Sequence, residues 1–436
     1  MSERPSVRLR SQVLRTAVAY ATVKLRGFVA IILITQVAGL PQYGIWAQVV
    51  VLANLLGILG GLGLSNALVR FYPAAETRAE RRTLLSSTWC LVAATALAGA
   101  LLMFVGAPAL AELFGAGHGA DAFRVGALLV VGSELRLFFV NWLRARDDIA
   151  SYSRWIVIGE TSDLVCSSAA LLLFGSITAA LAGSAVALLA VTVILSARAA
   201  RDVGGLERPS RSVGPVLRYS LPLVPLALSD EALARSDRLV VGGFLGPAAA
   251  GTYSAIYALA SMLQMVNVPL TDVLFPKRVR LDATDPVRAR RIMREAVVLF
   301  GAAVAVESAI LAVAGPSILR AIVDDPVEIA RLPLVFLIAT IGVGLYGIGR
   351  LLSLTMFVRK RTGTLAILWG SCLLFNLGAN LALVPGIGIT GAAVSTVLSY
   401  GLFALLQWRL NRRPATPPPG TRTRSRQAPH ADRSAP

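Results

Sequence analysis

Long apolar blocks alternate with short polar connectors along the whole chain. A hydrocarbon layer of about 30 Å demands a helix of roughly 20 apolar residues. Blocks of that length fall near 14–37, 42–66, 84–106, 123–143, 154–174, 177–197, 218–243, 248–275, 292–315, 330–357, 364–384 and 387–409. They are too long for strands, and they lack the one-sided pattern of a helix half buried in a soluble core. The pattern therefore predicts an all-α, polytopic membrane protein of about twelve transmembrane helices. The fourth, seventh and tenth blocks are interrupted by charges or early prolines.

The connectors carry a repeat. Gly39-Leu-Pro-Gln-Tyr-Gly44 between the first two blocks matches Gly246-Pro-Ala-Ala-Ala-Gly251 between the seventh and eighth. Leu14-Arg15 pairs with Leu217-Arg218, Phe71-Tyr72-Pro73 with Leu274-Phe275-Pro276, Arg81-Arg82 with Arg290-Arg291, and Ala185-Val186 with Ala393-Val394. The matches keep their order at a near-constant offset. Six spans per repeat is an even number, so the two six-helix halves share one topology and are pseudo-symmetric about the membrane normal, with a path between them. The expected organisation is a basic N-terminus 1–13, a bundle 14–197, a linker 198–217, a second bundle 218–410 and a polar, Pro- and Arg-rich tail 411–436, expected to be disordered.

Composition agrees. Of 436 residues, 56% are hydrophobic and only 15% charged, against about a quarter in soluble domains. The net charge of +18 would suggest nucleic acid in a soluble protein, but its distribution argues otherwise. With the N-terminus in the cytoplasm, the outside loops hold only Arg124, Arg320 and Arg331. The spans hold Lys24, Arg26, Arg136, Arg235, Arg238 and Arg350, and all the remaining Lys and Arg residues fall in inside segments. That is the positive-inside pattern. It places both termini in the cytoplasm of a bacterial inner membrane, with bilayer lipids as surroundings and no nucleic-acid partner. The first apolar block is too long for the core of a cleaved signal peptide. Cys90, Cys166 and Cys372 lie inside apolar blocks, and His118 and His430 are far apart, so neither a disulfide framework nor a metal or cofactor site is expected.

Charges within spans are costly, so they face a cavity or a partner. Glu231, Arg235 and Arg238 fall on one face of the seventh helix, with Asp230 and Asp237 on an adjacent stripe. Together with Lys24, Arg26 and Arg350 they are the substrate-cavity candidates, except that Asp230 joins Asp272 and Glu307 as ion-coupling candidates. Glu134, Arg136, Glu160 and Asp163 are weaker members of the same class. No P-loop or HExxH motif occurs and no large loop carries acid–base residues, so no catalytic residue is assigned and the chain does not read as an enzyme.

Three stretches carry a resemblance: Thr35 to Pro73, with Gly39, Gly44, Trp46, Gly63, Leu64 and Arg70; Ala234 to Ala260, with Asp237, Arg238 and Tyr253; and Asn376 to Tyr400, with Asn380, Pro385 and Gly388. They resemble the polysaccharide-transporter, or O-antigen flippase, family of the multidrug/oligosaccharidyl-lipid/polysaccharide exporter superfamily. Gly61 departs from it, since relatives often carry an acid there. The resemblance implies a flippase that moves an undecaprenyl-pyrophosphate oligosaccharide by alternating access, in contact with polysaccharide polymerase or chain-length machinery. The alternative is a cation-coupled drug or small-molecule exporter of the same superfamily. Arg and Lys in the cavity suit a pyrophosphate better than a cationic drug.

Overall fold

The computed structural model describes residues 5–117, 119–205, 207, 213–320, 326–359 and 361–412. Residues 1–4, His118, Leu206 and 208–212 of the linker, 321–325, Lys360 and the tail from 413, which includes His430, lie outside the described residues. Among the described residues there are helices and turns but no strand. The helices are α1 (Pro5–Ala38), α2 (Leu40–Gly61), α3 (Leu64–Phe71), α4 (Arg78–Val105), α5 (Ala107–Leu113), α6 (Ala120–Ala145), α7 (Ile149–Phe174), α8 (Ile177–Val203), α9 (Gly214–Ser220), α10 (Val224–Ala260), α11 (Gln264–Thr284), α12 (Pro286–Arg320), α13 (Pro326–Val358), α14 (Thr362–Ile387) and α15 (Ile389–Arg412).

By length and composition, ten described segments suit a membrane span. Two facts turn these into twelve crossings. The segment Gly214–Val268 is one long apolar stretch, yet α10 breaks at Gly246, whose φ of 84° and ψ of 177° are not helical; its arms 224–245 and 247–260 run separately. The remaining crossing is α6, where Asp121, Arg124, Glu134, Arg136 and Arg144 interrupt the apolar run.

Helix ends extend past the apolar blocks because hydropathy sees only the lipid-buried part. The apolar pattern starts the third block at 84, but α4 starts at Arg78 behind a capping box in which the Thr77 hydroxyl accepts from the Glu80 N–H. Residues 5–13, expected as a separate basic segment, continue α1. The second block, expected to run to 66, stops at Gly61: Leu62 and Gly63 turn left-handed at φ 49° and 68°, and α3 starts in a new direction. Asn411 and Arg412, assigned to the tail, belong to α15.

Large apolar side chains point outward, among them Leu173 at 77% and Val313 at 82% exposure. In water such a belt would aggregate; against lipid it is the expected surface. Helices α1 to α8 pack mainly on one another, as do α10 to α15. The halves meet chiefly where α2 packs on α10, with smaller contacts of α1 on α11 and of α3 on α9.

The repeated turns show why. Gly39 (φ 87°, ψ 164°) and Gly246 (φ 84°, ψ 177°) share a conformation that is open essentially to glycine alone, and each precedes a first-turn proline, Pro41 or Pro247. The second glycine of each turn faces the other half. A Cβ on Gly44 would collide with the Pro247 carbonyl, and one on Gly251 with the Leu40 carbonyl. The turns therefore interlock backbone to backbone. At the opposite end, Gly63 packs against the Ser220 carbonyl and the Arg70 guanidinium lies 4.4 Å from the centre of the Tyr219 ring.

Candidate functional site

Between the halves lies a cavity of about 380 Å³. The middle of α1, the start of α2, both arms of α10, the start of α11 and the centre of α13 wall it. Arg26, Asp230, Glu231, Arg235, Arg238 and Arg350 all line it. Helical spacing brings 231, 235 and 238 to one face of α10, as the sequence implies, and α13 brings Arg350 opposite.

The four arginines differ in how their charge is compensated. Arg235 Nε lies 2.5 Å from Glu231 Oε1, one turn away. Arg350 Nη1 lies 3.3 Å from Asp230 Oδ2 and donates to the Tyr346 hydroxyl, which itself donates to Asp230 Oδ1 at 2.6 Å. Arg26 reaches backward into the first half, pairing with Asp163 and, at 3.0 Å, with Glu160; Glu160 also accepts from Arg136 Nη2 at 3.0 Å. Arg238 makes no ion pair with any described residue. Its guanidinium sits 4.8 Å from the centre of the Tyr257 ring, and its Nε is buried without a hydrogen-bond partner. A cation on a ring face and short of acceptors is the group an incoming anion would complete.

Asp237 is placed elsewhere. It is 1% exposed and does not line the cavity. One helical step from Arg238, it points into the second half, where Tyr253 and Thr396 hydroxyls donate to Oδ2 at 2.6 and 3.4 Å and the Arg238 N–H to Oδ1. Its neighbour Ser236 donates to Asn376 at 3.5 Å, and Asn376 in turn donates to Ser399 and accepts from Asn380. The cavity candidate Asp237 is thus corrected to a buried acid held by two hydroxyls and a backbone N–H. The side chains of Lys24 and Asp272 lie outside the described residues. Glu307 stands on α12, away from the cavity lining.

At Gly61 the first half carries an acid after all. The Glu134 carboxylate, from α6, occupies the space that a side chain on Gly61 would fill and touches the Gly57 position too. The sequence reading missed the aromatic lining, Phe28, Tyr43, Trp46, Tyr257 and Tyr346. Its signal was available in part: Tyr346 stands one turn before Arg350.

Among the described residues no cluster of His, Cys, Asp and Glu could hold a metal ion. A family profile described as "Polysaccharide biosynthesis protein" matches residues 9–281. Among curated proteins, the chain is similar to the succinoglycan biosynthesis transport protein ExoT of Rhizobium meliloti, 30% identical over 57% of this chain and 49% of the relative. The chain thus aligns with about half the length of that relative. Among solved structures, it superposes on the lipid II flippase MurJ in an inward closed conformation, with a TM-score of 0.73 at 13% identity, covering 91% of this chain and 87% of that one. It also superposes on an inward-facing multidrug resistance MATE family transporter of the MOP superfamily, with a TM-score of 0.72 at 15% identity and coverage of 91% and 97%. At such identities these matches establish the fold.

Proposed function

The chain belongs to the polysaccharide biosynthesis protein family, and from that premise we propose that it is a flippase for an undecaprenyl-pyrophosphate oligosaccharide, working by alternating access in a bacterial inner membrane with both termini in the cytoplasm. The observation that carries this reading is Arg238: in a cavity shared by the halves, it is the lining arginine that makes no ion pair with a described residue and stands on a tyrosine ring. A pyrophosphate entering beside it gains a planar donor fork at the place where the site is short of acceptors. The aromatic side chains around it offer flat apolar faces beside polar tips, which suits sugar rings. The isoprenoid tail stays in lipid. The protein alters no bond of its cargo. Asp237, buried with two hydroxyl donors, and Asp230, tied to Arg350, are the acids proposed to couple transport to an ion. A polymerase or chain-length partner follows from the same reading.

The test is flipping of a fluorescent undecaprenyl-pyrophosphate glycan in vesicles containing the purified full chain. Arg238→Ala should lower the initial rate at least about tenfold, the worth of a charge-assisted hydrogen bond, while thermal stability stays within about 1 kcal/mol of wild type. An unchanged rate would overturn the assignment. The second reading, a cationic-drug exporter, is favoured by Asp230 and Glu231 in the same lining; ethidium efflux that survives Arg238→Ala and fails in Glu231→Gln would select it.

A further inference from the structure

A second depression, of about 790 Å³, opens at the end of the first half remote from the Gly39 turn, where α3 leads into α4 and where α6 and α8 end. Arg78, Arg81, Arg144 and Arg146 face it, against Asp147 and Asp202. Three of these arginines are held by contacts that leave most of their donors unused. Arg146 pairs with Asp202 at 3.0 Å and stacks 4.8 Å from the centre of the Trp142 ring. Arg78 donates to the Asp202 carbonyl at 3.0 Å. Arg81 donates through Nε to the Ala75 carbonyl at 3.0 Å. Arg144 has no ion-pair partner among the described residues. A guanidinium carries five N–H donors, so the wall holds positioned, unfilled donors with an excess of positive charge.

Depth selects the ligand. Leu137 on α6 and Ile194 on α8 are outward-facing, at 47% and 53% exposure. Arg144 and Asp202 lie seven and eight residues further along those helices. At a rise of about 1.5 Å per residue that is about 10–12 Å beyond lipid-facing apolar surface, the depth of headgroups bordering a hydrocarbon core about 30 Å thick. A soluble phosphate would find the same donors but has no use for the apolar faces that continue from the site along the same helices.

The geometry points to a binding site for the phosphate headgroup of an anionic phospholipid, separate from the central cavity and independent of the transport reading. Its phosphate bridges Arg81 and Arg144, and its acyl chains lie along α6 and α8. Basic pockets between membrane helices recognise anionic headgroups in this way, each arginine contributing about 1 kcal/mol near the surface.

The test uses the full chain in phosphatidylcholine vesicles doped with spin-labelled phosphatidylglycerol or spin-labelled phosphatidylcholine, reading the immobilised fraction of each. Wild type should prefer the glycerol headgroup. Arg144→Gln, which removes no bond seen in the fold, should cut that preference about fivefold, and Arg81→Gln with Arg144→Gln should abolish it, while Arg81→Lys with Arg144→Lys should retain most of it. Arg290→Gln with Arg291→Gln, an equal loss of charge in the other half, should leave it intact. Unchanged preference in Arg144→Gln overturns the site. So does an equal fall in the Arg290 and Arg291 variant, which would mean a general surface field. Millimolar pyrophosphate that removes the wild-type preference would reassign the pocket to a soluble anion and overturn the lipid.

Discussion

The two walls of the central cavity share one glycine turn and differ in how fully their arginines are compensated. On the first wall, Arg26 is backed by Glu160 and Asp163, and Arg136 shares Glu160, so the cation is answered from behind by its own half. On the second wall, Arg238 stands on a tyrosine face, and the nearest acid in the chain, Asp237, has turned away into hydroxyls. Both halves nonetheless use the same glycine turn, with Gly39 and Gly246 in one conformation and Gly44 and Gly251 touching across the interface. Backbone geometry has been kept where the halves must meet. Charge compensation differs where the two walls face the cavity. A cavity arginine is available to a ligand to the extent that the protein has not already paired it, so counting arginines overstates the site and counting unpaired ones locates it.

The largest expected effect lies in the shared feature. Gly44→Val inserts a branched side chain where the Pro247 carbonyl and Gly251 amide already fill the space. The turns then fail to close. Flipping should fall below detection, and in a background with the native cysteines changed to Ser, Met262→Cys in the cavity should become reactive to an impermeant maleimide applied from the Gly39 side. Transport at wild-type rate with Met262→Cys still protected would remove the interlock from the mechanism. Next in size is Arg26→Ala. It strands Asp163, of which 7% of the side chain is exposed, and leaves Glu160, with 9%, to Arg136 alone. Breaking one partner out of a buried network costs about 3–5 kcal/mol, and Arg26, a quarter exposed to the cavity, sits toward the low end. Thermal unfolding in detergent should therefore report a clear loss of stability for Arg26→Ala and none for Arg238→Ala. Equal behaviour of the two would erase the contrast between the walls.

The fold was legible in the sequence because length and hydropathy alone fix a membrane helix. All twelve blocks are helices, and even α6, with five charges, was found from its apolar remainder. What hydropathy does not encode is where a helix stops in water or turns. It therefore missed the six residues of α4 before 84, the break at Leu62, and the short α3, α5 and α9. The cavity was half legible. The period of 3.6 placed Glu231, Arg235 and Arg238 together, since all three lie on one helix. It could not place Asp237 against Tyr253 and Thr396, nor Glu134 against Gly61, because those contacts join residues on separate helical arms. Gly61 looked like the loss of an acid; in three dimensions the neighbouring helix supplies one.

The smallest and most discriminating effect concerns Arg235. It points into the same cavity as Arg238 but lies 2.5 Å from Glu231, and both side chains keep about a quarter to a third of their surface exposed. An exposed i,i+4 pair of this kind contributes only about 0.3–0.5 kcal/mol to folding, so neither single change should alter stability measurably. Function separates the roles. Arg235→Ala frees the Glu231 charge to face an anionic cargo about one helical turn from Arg238, and like-charge repulsion should lower flipping several-fold. Glu231→Ala releases Arg235 as a second cation and should raise apparent affinity slightly. Changing both to Ala removes the pair without leaving either charge, so flipping should return to near wild type if Arg235 only neutralises Glu231. A double variant as slow as Arg235→Ala alone would show that Arg235 itself holds the cargo, and the second wall would then offer two cations instead of one.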